Sequence, residues 1–193
     1  MKIPEPADDT MARLRASLAE RAAAAGLLDV AYATADSPLG PLIVCATPAG
    51  LVRIAFDNEP SDDVLAELAA KVSPRILLAP PRLDEARREL DEYFQGHRTT
   101  FDLPLDWTLS TGFRREVLAA TRRVPYAATS TYGKVATAAG RPKAYRAAGT
   151  ALATNPIPIV VPCHRVLPAS GAVGRYRGGA DRKELLLQLE AAR

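Results

Sequence analysis

The sequence predicts an α+β fold: a small N-terminal antiparallel sheet with helices, followed by a mostly helical C-terminal region with a helix-turn-helix and a Pro-Cys-His-Arg segment. Three observations predict it. Residues 30–35, 42–47 and 51–57 alternate with period two between turn-forming clusters. Residues 111–154 change to helical period, broken by a short glycine turn. Residues 157–166, IPIVVPCHRV, form a proline-punctuated apolar run that sets a thiol, an imidazole and a guanidinium side by side.

Within the first 28 residues, Met11, Leu14, Leu18, Ala22 and Ala25 recur at helical spacing, Asp9 or Thr10 is placed to cap, and Gly26 stops the run. The period-two segments that follow are joined by Ser37-Pro38-Leu39-Gly40 and Pro48-Ala49-Gly50, which makes them an antiparallel meander. Cys45, inside its middle strand, reads as an inert core thiol. Residues 61–72 carry a helical stripe, residues 75–79 suit a fourth strand, and Pro81 opens a helix that Gly96 ends. The stretch 97–107 lacks helical period and holds Pro104, so the boundary falls there. It divides the chain into an N-terminal domain over 1–106 and a C-terminal domain over 107–193.

A helix over 111–123 puts Phe113, Val117 and Ala120 on one side and its arginines on the other. Next come a short helix over 132–139, a turn at Gly140-Arg141, and a second helix from Pro142 to about residue 154, the organisation of a DNA-binding helix-turn-helix. Ala144, Ala147, Ala148, Gly149 and Ala151 leave that second helix thin, which suits close approach to a minor groove. Past a glycine-rich loop at 171–179, Asp181 and Glu184 have capping-box spacing, and Glu190 follows Leu186 by one turn on the apolar side of the last helix.

Pro158 and Pro162 cannot donate to a helix ladder and push their predecessors into extended geometry, so Cys163 is expected to leave a stiff strand. Neighbours in a strand face opposite ways, so Cys163 and His164 need a bridging water or a turn to communicate. A nearby His or Arg is expected to lower the thiol pKa and populate the reactive thiolate. A buried structural cysteine is the competing reading.

Charge points to a partner. Residues 1–100 hold 11 Lys and Arg against 16 Asp and Glu, whereas between 107 and 180 eleven cations face the single acid Glu116. Such an excess suits a polyanion. Two cysteines 118 positions apart give no disulfide framework, and with His97 and His164 the only histidines no four-ligand zinc site is expected. No apolar run reaches membrane-span length and the N-terminus lacks the form of a signal peptide, so a cytoplasmic protein is expected.

The stretches TYGKVA (131–136), RPKAYRAAGTAL (141–152), NPIPIVVPCHRV (155–166) and SGAVGRYRGG (170–179), followed by a helix with Glu190, resemble the O6-alkylguanine-DNA alkyltransferases, also called methylated-DNA–protein-cysteine methyltransferases. The resemblance implies direct reversal of DNA damage. Cys163 would take the alkyl group from O6-alkylguanine in an irreversible single turnover, with O4-alkylthymine a second candidate substrate. It further implies that His164 acts as base through a water, that Glu190 orients it, that Asn155 is a buried hinge, and that Tyr132 helps to rotate the nucleotide and to protonate the leaving guanine. Arg146 corresponds to the finger inserted into the duplex, with Lys143, Ala144, Tyr145, Ala147, Gly149 and Arg165 also toward DNA. Tyr176, Arg177, Gly178, Val166 and Pro158 would wall the pocket. A monomer acting on double-stranded DNA, with no cofactor and no membrane, is expected. Tyr145 stands where the family usually has a smaller residue, and Ala127-Ala128 replace a frequent Gly-Glu pair. A non-catalytic binder that flags alkylated DNA is the alternative, and the presence of Cys163 counts against it.

Overall fold

The computed structural model describes residues 8–192. Helix α1 (Asp8–Ala24) already contains Asp9 and Thr10, so its cap lies outside the described residues. The leucines of its expected stripe do not face the core. Leu14 and Leu18 are 58% and 55% exposed, whereas Ala19 is buried and Ala22 and Ala23 pack beside it. Small side chains let this helix lie close; the longer ones stay outside.

Strands β1 (Val30–Ala35), β2 (Leu42–Thr47) and β3 (Gly50–Phe56) form the expected meander, and β4 (Ile76–Leu78) joins β1 in parallel, giving the order β3-β2-β1-β4. Helix α2 (Ser61–Lys71) covers one face, where Val64 and Leu68 meet Val30, Cys45, Val52 and Ala55. Burial pushes the Cys45 thiol up to about 12, as an inert core thiol requires. Pro81 lies in a 3-10 turn (Pro80–Leu83) that leads into α3 (Asp84–Gln95), and α3 ends on Gly96 with φ 73°. The segment after it returns to the sheet: Leu51 N–H donates to Pro104 O and Asp106 N–H to Leu51 O, both at 2.9 Å. Gly50 permits this, because a Cβ there would collide with the Pro104 carbonyl.

On the other sheet face the core is continuous with the C-terminal helices. Leu42, Val44, Ile54 and Phe56 share it with Val117, Leu118, Val135, Ala148, Ile157, Cys163 and Leu186. Helix α4 (Gly112–Thr121) packs on α5 (Tyr132–Ala138) and α6 (Tyr145–Ala153). The second helix of the helix-turn-helix, α6, thus starts three residues later than the sequence suggests. Arg141-Pro142-Lys143-Ala144 closes as a turn, with Ala144 N–H on Arg141 O at 2.9 Å, because proline at its second position favours a turn. Strands β5 (Ser130–Thr131) and β6 (Val166–Leu167) pair in parallel, linking the start of α5 to the segment after the cysteine. Helix α7 (Ala180–Ala191) begins on Gly179, φ 91°, with no side-chain cap, so the Asp181–Glu184 capping box does not form.

Among the described residues no helix is long and apolar enough to cross a membrane, and no group of three or more His, Cys, Asp or Glu could hold a metal ion.

Candidate active site

The segment before the cysteine is not a strand. Pro158 and Val161 bridge across a tight turn, Val161 N–H donates to Ile157 O at 2.9 Å, and Ile159 sits at φ 74°, a left-handed conformation that costs a β-branched residue about 1–3 kcal/mol. Asn155 holds the turn together. Its Oδ1 accepts the Ile157 N–H at 3.0 Å, and its Nδ2 donates to Val161 O at 2.9 Å and to Cys163 Sγ at 3.1 Å. Both prolines suit this arrangement because neither has an N–H to leave unpaired.

Cys163–Arg165 then form one 3-10 turn, Arg165 N–H donating to Pro162 O at 3.0 Å. The turn sends its side chains apart: Cys163 toward Asn155, His164 and Arg165 toward α7. All three are buried, Cys163 at 3% exposure. His164 Nε2 lies 2.8 Å from Glu190 Oε1. Arg165 grips the same carboxylate, Nε at 3.1 and 2.9 Å from its two oxygens and Nη2 at 2.9 Å from Oε1, while Nη1 donates to Val124 O at 2.7 Å. Tyr93 O–H at 2.7 Å and the Ala127 N–H at 3.2 Å complete its shell.

These contacts settle protonation. Burial alone would raise the Glu190 pKa, but donation from His164, Arg165 and Tyr93 brings it down to about 2, so the group is an anion that accepts only. His164 Nε2 must therefore carry the proton. Burial, helped by the Arg165 and Lys183 charges, lowers the imidazole pKa in spite of Glu190, which favours the neutral ring. Its Nδ1 is then a lone-pair acceptor, and this buried atom has no partner among the described residues. Burial also pushes the Cys163 thiol up to about 11, against the Asn155 hydrogen bond and the Lys183 charge. The resting sulfur is a thiol. The expectation of a thiolate near neutral pH is corrected on that ground: burial outweighs the nearby cations, and Arg165, close in sequence, is committed to Glu190.

Tyr132, half-buried at the start of α5, and Tyr176, half-buried in the glycine-rich loop, both lie within the field of Cys163; burial raises both hydroxyl pKa values and the sulfur adds to it. The Tyr176 hydroxyl is buried without a hydrogen-bond partner among the described residues. Gly174 passes against Tyr132, where a Cβ would stand 2.9 Å from the hydroxyl, and Gly178 lies on the Phe56 ring. A Cβ on Gly149 would stand 4.0 Å from the Tyr132 ring, so α6 adjoins the same tyrosine. Lys143, Tyr145, Arg146 and Ala147 are exposed, with Ala144 and Gly149 half-buried beside them. Pro158 and Val166 are buried in the segments on either side of Cys163.

Two assignments change. Arg165 does not face DNA; it is 5% exposed and committed to Glu190 and Val124. Arg177 turns from the pocket toward the sheet, where Nε and Nη2 meet Glu59 Oε2 at 2.9 and 2.8 Å. Counting cations along the chain cannot separate those paired inside from those presented outside. Arg115, Arg123, Lys134, Lys143, Arg146 and Arg175 remain exposed.

Two residues escaped sequence reasoning. Tyr93 is buried on α3, and its hydroxyl contact with Glu190 joins positions 97 residues apart. Lys183 is fully buried and donates to Val166 O at 2.8 Å; burial lowers its pKa while Cys163 raises it. Its spacing with Leu186 and Glu190 on one stripe of α7 was the available signal.

Comparison with known proteins gives the family. Residues 30–107 match a family profile described as 6-O-methylguanine DNA methyltransferase, ribonuclease-like domain, and residues 112–192 one described as 6-O-methylguanine DNA methyltransferase, DNA binding domain. The chain is 37% identical over 161 residues to a methylated-DNA–protein-cysteine methyltransferase of Methanosarcina acetivorans, covering 83% of this chain and 98% of that one. It is 40% identical over 164 residues to another from Mycolicibacterium paratuberculosis, covering 83% and 92%. Among solved structures, Mycobacterium tuberculosis O6-methylguanine methyltransferase superposes with a TM-score of 0.73 at 36% identity, covering 85% of this chain and 94% of that one. Mycobacterium tuberculosis OGT in complex with DNA gives 0.72 at 36% identity, covering 84% and 93%. Sequence, fold and the Cys163 site together place the chain in the methylated-DNA–protein-cysteine methyltransferase family of DNA-repair enzymes.

Proposed function

We propose that this protein removes the alkyl group from O6-alkylguanine in double-stranded DNA by transferring it once, irreversibly, to Cys163. The observation that carries the reading is the grouping at Cys163: a neutral imidazole with an unpartnered Nδ1, backed by the Glu190 anion, beside two tyrosine hydroxyls. The thiol proton passes to His164 Nδ1, through a water where the two groups do not meet directly. The imidazolium so formed is stabilised by Glu190. As Sγ attacks the alkyl carbon, the S–C bond forms and the C–O6 bond breaks. The guanine leaves as an anion and takes its proton from the Tyr132 side. Tyr132 recovers its proton from the His164 imidazolium through solvent, so both side chains end neutral and the proton lost by the thiol is balanced by the one gained by guanine.

A sulfur 3% exposed cannot reach a stacked base, so the nucleotide must leave the duplex. Arg146 would fill the gap; its exposure on α6, one turn from the Gly149 that adjoins Tyr132, supports that role. The product is a thioether with no good leaving group, and Cys45, buried in the sheet, offers no route back. A single exponential ending at one alkyl group per protein is therefore expected with a duplex bearing labelled O6-methylguanine. Continued turnover would contradict it. Arg146→Ala is expected to slow transfer from duplex by about 10²-fold, the equivalent of a few kcal/mol of unstacking. Its reaction with free O6-benzylguanine should stay within about threefold of wild type. Equal losses on both substrates would remove the flipping role.

A further inference from the structure

Asn155, whose carboxamide touches the reacting sulfur, is held on both sides by arginines from distant parts of the chain. Arg114 of α4 donates through Nη2 to the carbonyl of Thr154. Arg53 of β3, 1% exposed, donates through Nη1 to Ile54 O and, at 3.4 Å, to the carbonyl of Pro156. That same carbonyl accepts the Ile54 N–H at 2.8 Å. The two peptide carbonyls that flank Asn155 are each tied to a guanidinium, one from the helical part and one from the sheet.

Arg53 also reaches the glycine-rich loop. Its Nη2 lies 2.5 Å from Glu59 Oε2, the oxygen that Arg177 grips from the other side, and Glu67 Oε2 stands 3.7 Å from Arg53 Nε and 3.9 Å from Arg177 Nη2. Burial opposes ionisation of both carboxylates, yet the surrounding cations hold them below the ordinary glutamate value. For stability alone, apolar residues of similar volume serve as well as a buried ion cluster, or better. What such a cluster supplies here is direction: it fixes the Asn155 segment and the residue next to Tyr176 against one strand.

We propose that Arg53 and Arg114 are positioning residues for alkyl transfer, bracketing Asn155 so that its N–H stays on Cys163 Sγ, and that the N-terminal sheet is thereby a working part of the reaction centre. This rests on the alkyl acceptance by Cys163 proposed above. An N–H held on sulfur favours the thiolate over the thiol, so a carboxamide that wanders lowers the reactive fraction at a given pH. The other groups whose charge is felt at Cys163 are Tyr132 from α5, Tyr176 from the loop, Lys183 from α7 and, at longer range from its place on Glu59, Arg177. Arg114→Met replaces none of them.

The test is the rate of Cys163 alkylation by free O6-benzylguanine across pH 6–10 in Arg114→Met, Arg53→Lys, Asn155→Ala and the Arg114→Met/Asn155→Ala double variant. Arg114→Met is expected to react about tenfold more slowly than wild type near pH 7, with its curve moved to higher pH so that the deficit closes as pH rises. Arg53→Lys keeps the charge but loses the fork that spans Pro156 and Glu59, and should move the curve the same way. In the Asn155→Ala background Arg114→Met should add nothing further, because its effect passes through the carboxamide. A wild-type rate–pH curve in Arg114→Met, or losses that multiply in the double variant, would overturn the bracket, whatever the Arg53 variant does. A wild-type protein that takes no benzyl group would instead overturn the proposed function. The bracket would then be judged by the same curves for carbamidomethylation of Cys163 by iodoacetamide, read by peptide mass.

Discussion

Cys163→Ala is expected to fold, to bind an O6-methylguanine duplex as wild type does, and to accept no alkyl group. The loss is total because no second nucleophile is in place. Cys45 is buried in the sheet with its thiol pushed up to about 12, and the tyrosines near position 163 are held protonated by burial. Folding should suffer little. Asn155 Nδ2 loses its contact with sulfur but keeps Val161 O at 2.9 Å, so the cost is about 1 kcal/mol. Binding should persist because the exposed residues of the helix-turn-helix, Lys143 and Arg146 among them, are untouched. Gel-shift titration and label transfer on one preparation check both halves. Residual transfer at the wild-type rate would move the acceptor elsewhere.

Glu190→Ala is expected to damage stability and reaction together. The carboxylate is 1% exposed and answers Arg165, His164, Tyr93 and the Ala127 amide together. Removing it leaves the Arg165 guanidinium buried without its anion, a loss of about 3–5 kcal/mol. In a chain of this size that lowers Tm by roughly 6–20 °C. The reaction suffers separately, since an imidazolium formed at His164 would lose its counter-charge, and a loss of about 10²–10⁴-fold at neutral pH is expected for the folded fraction. Glu190→Gln keeps the volume and one acceptor, so it should recover part of the stability and little of the rate. Equal recovery of both would reduce Glu190 to a structural role.

The same carboxylate sets an acid limit. Its folded pKa, about 2, lies below the ordinary 4.5, so its contribution is complete above about pH 4.5 and is lost as pH falls toward 2. The shift corresponds to about 3 kcal/mol. His164 adds a loss of the same sign. Its folded pKa is lowered from 6.5, so the native state resists a proton that the unfolded chain accepts below that pH. Urea midpoints between pH 7 and 3 should fall steadily in wild type and more weakly in Glu190→Gln.

Much of this was legible before the structure. The meander showed in its period-two segments because strands β1 to β3 bury alternate or continuous apolar sets between compact turns. The helix-turn-helix showed in helical period interrupted at Gly140. Local chemistry misled where tertiary contacts decided the outcome. Pro158 and Pro162 argued for extended chain, yet Asn155 folds the same residues into a turn through three hydrogen bonds, two of them to groups six and eight positions away. Pro142 fits a helix start and a turn equally well, and the turn won. The leucines of α1 looked like a core face, but alanines fit the available space. Arg165 and Arg177 counted as surface charge although their partners, Glu190 and Glu59, lie 25 and 118 positions away. Periodicity speaks to neighbours within a few residues, and a buried ion pair between distant positions leaves no trace in it.

The central claim is that the Cys163 sulfur receives the alkyl group of one everted guanine. Incubation with a duplex carrying isotopically labelled O6-methylguanine, followed by proteolysis and peptide mass measurement, tests it directly. One labelled methyl per protein chain, on the peptide that contains Cys163 and matched by restored guanine in the DNA, is the result expected. Label on Cys45, on another residue, or released to solvent would contradict it.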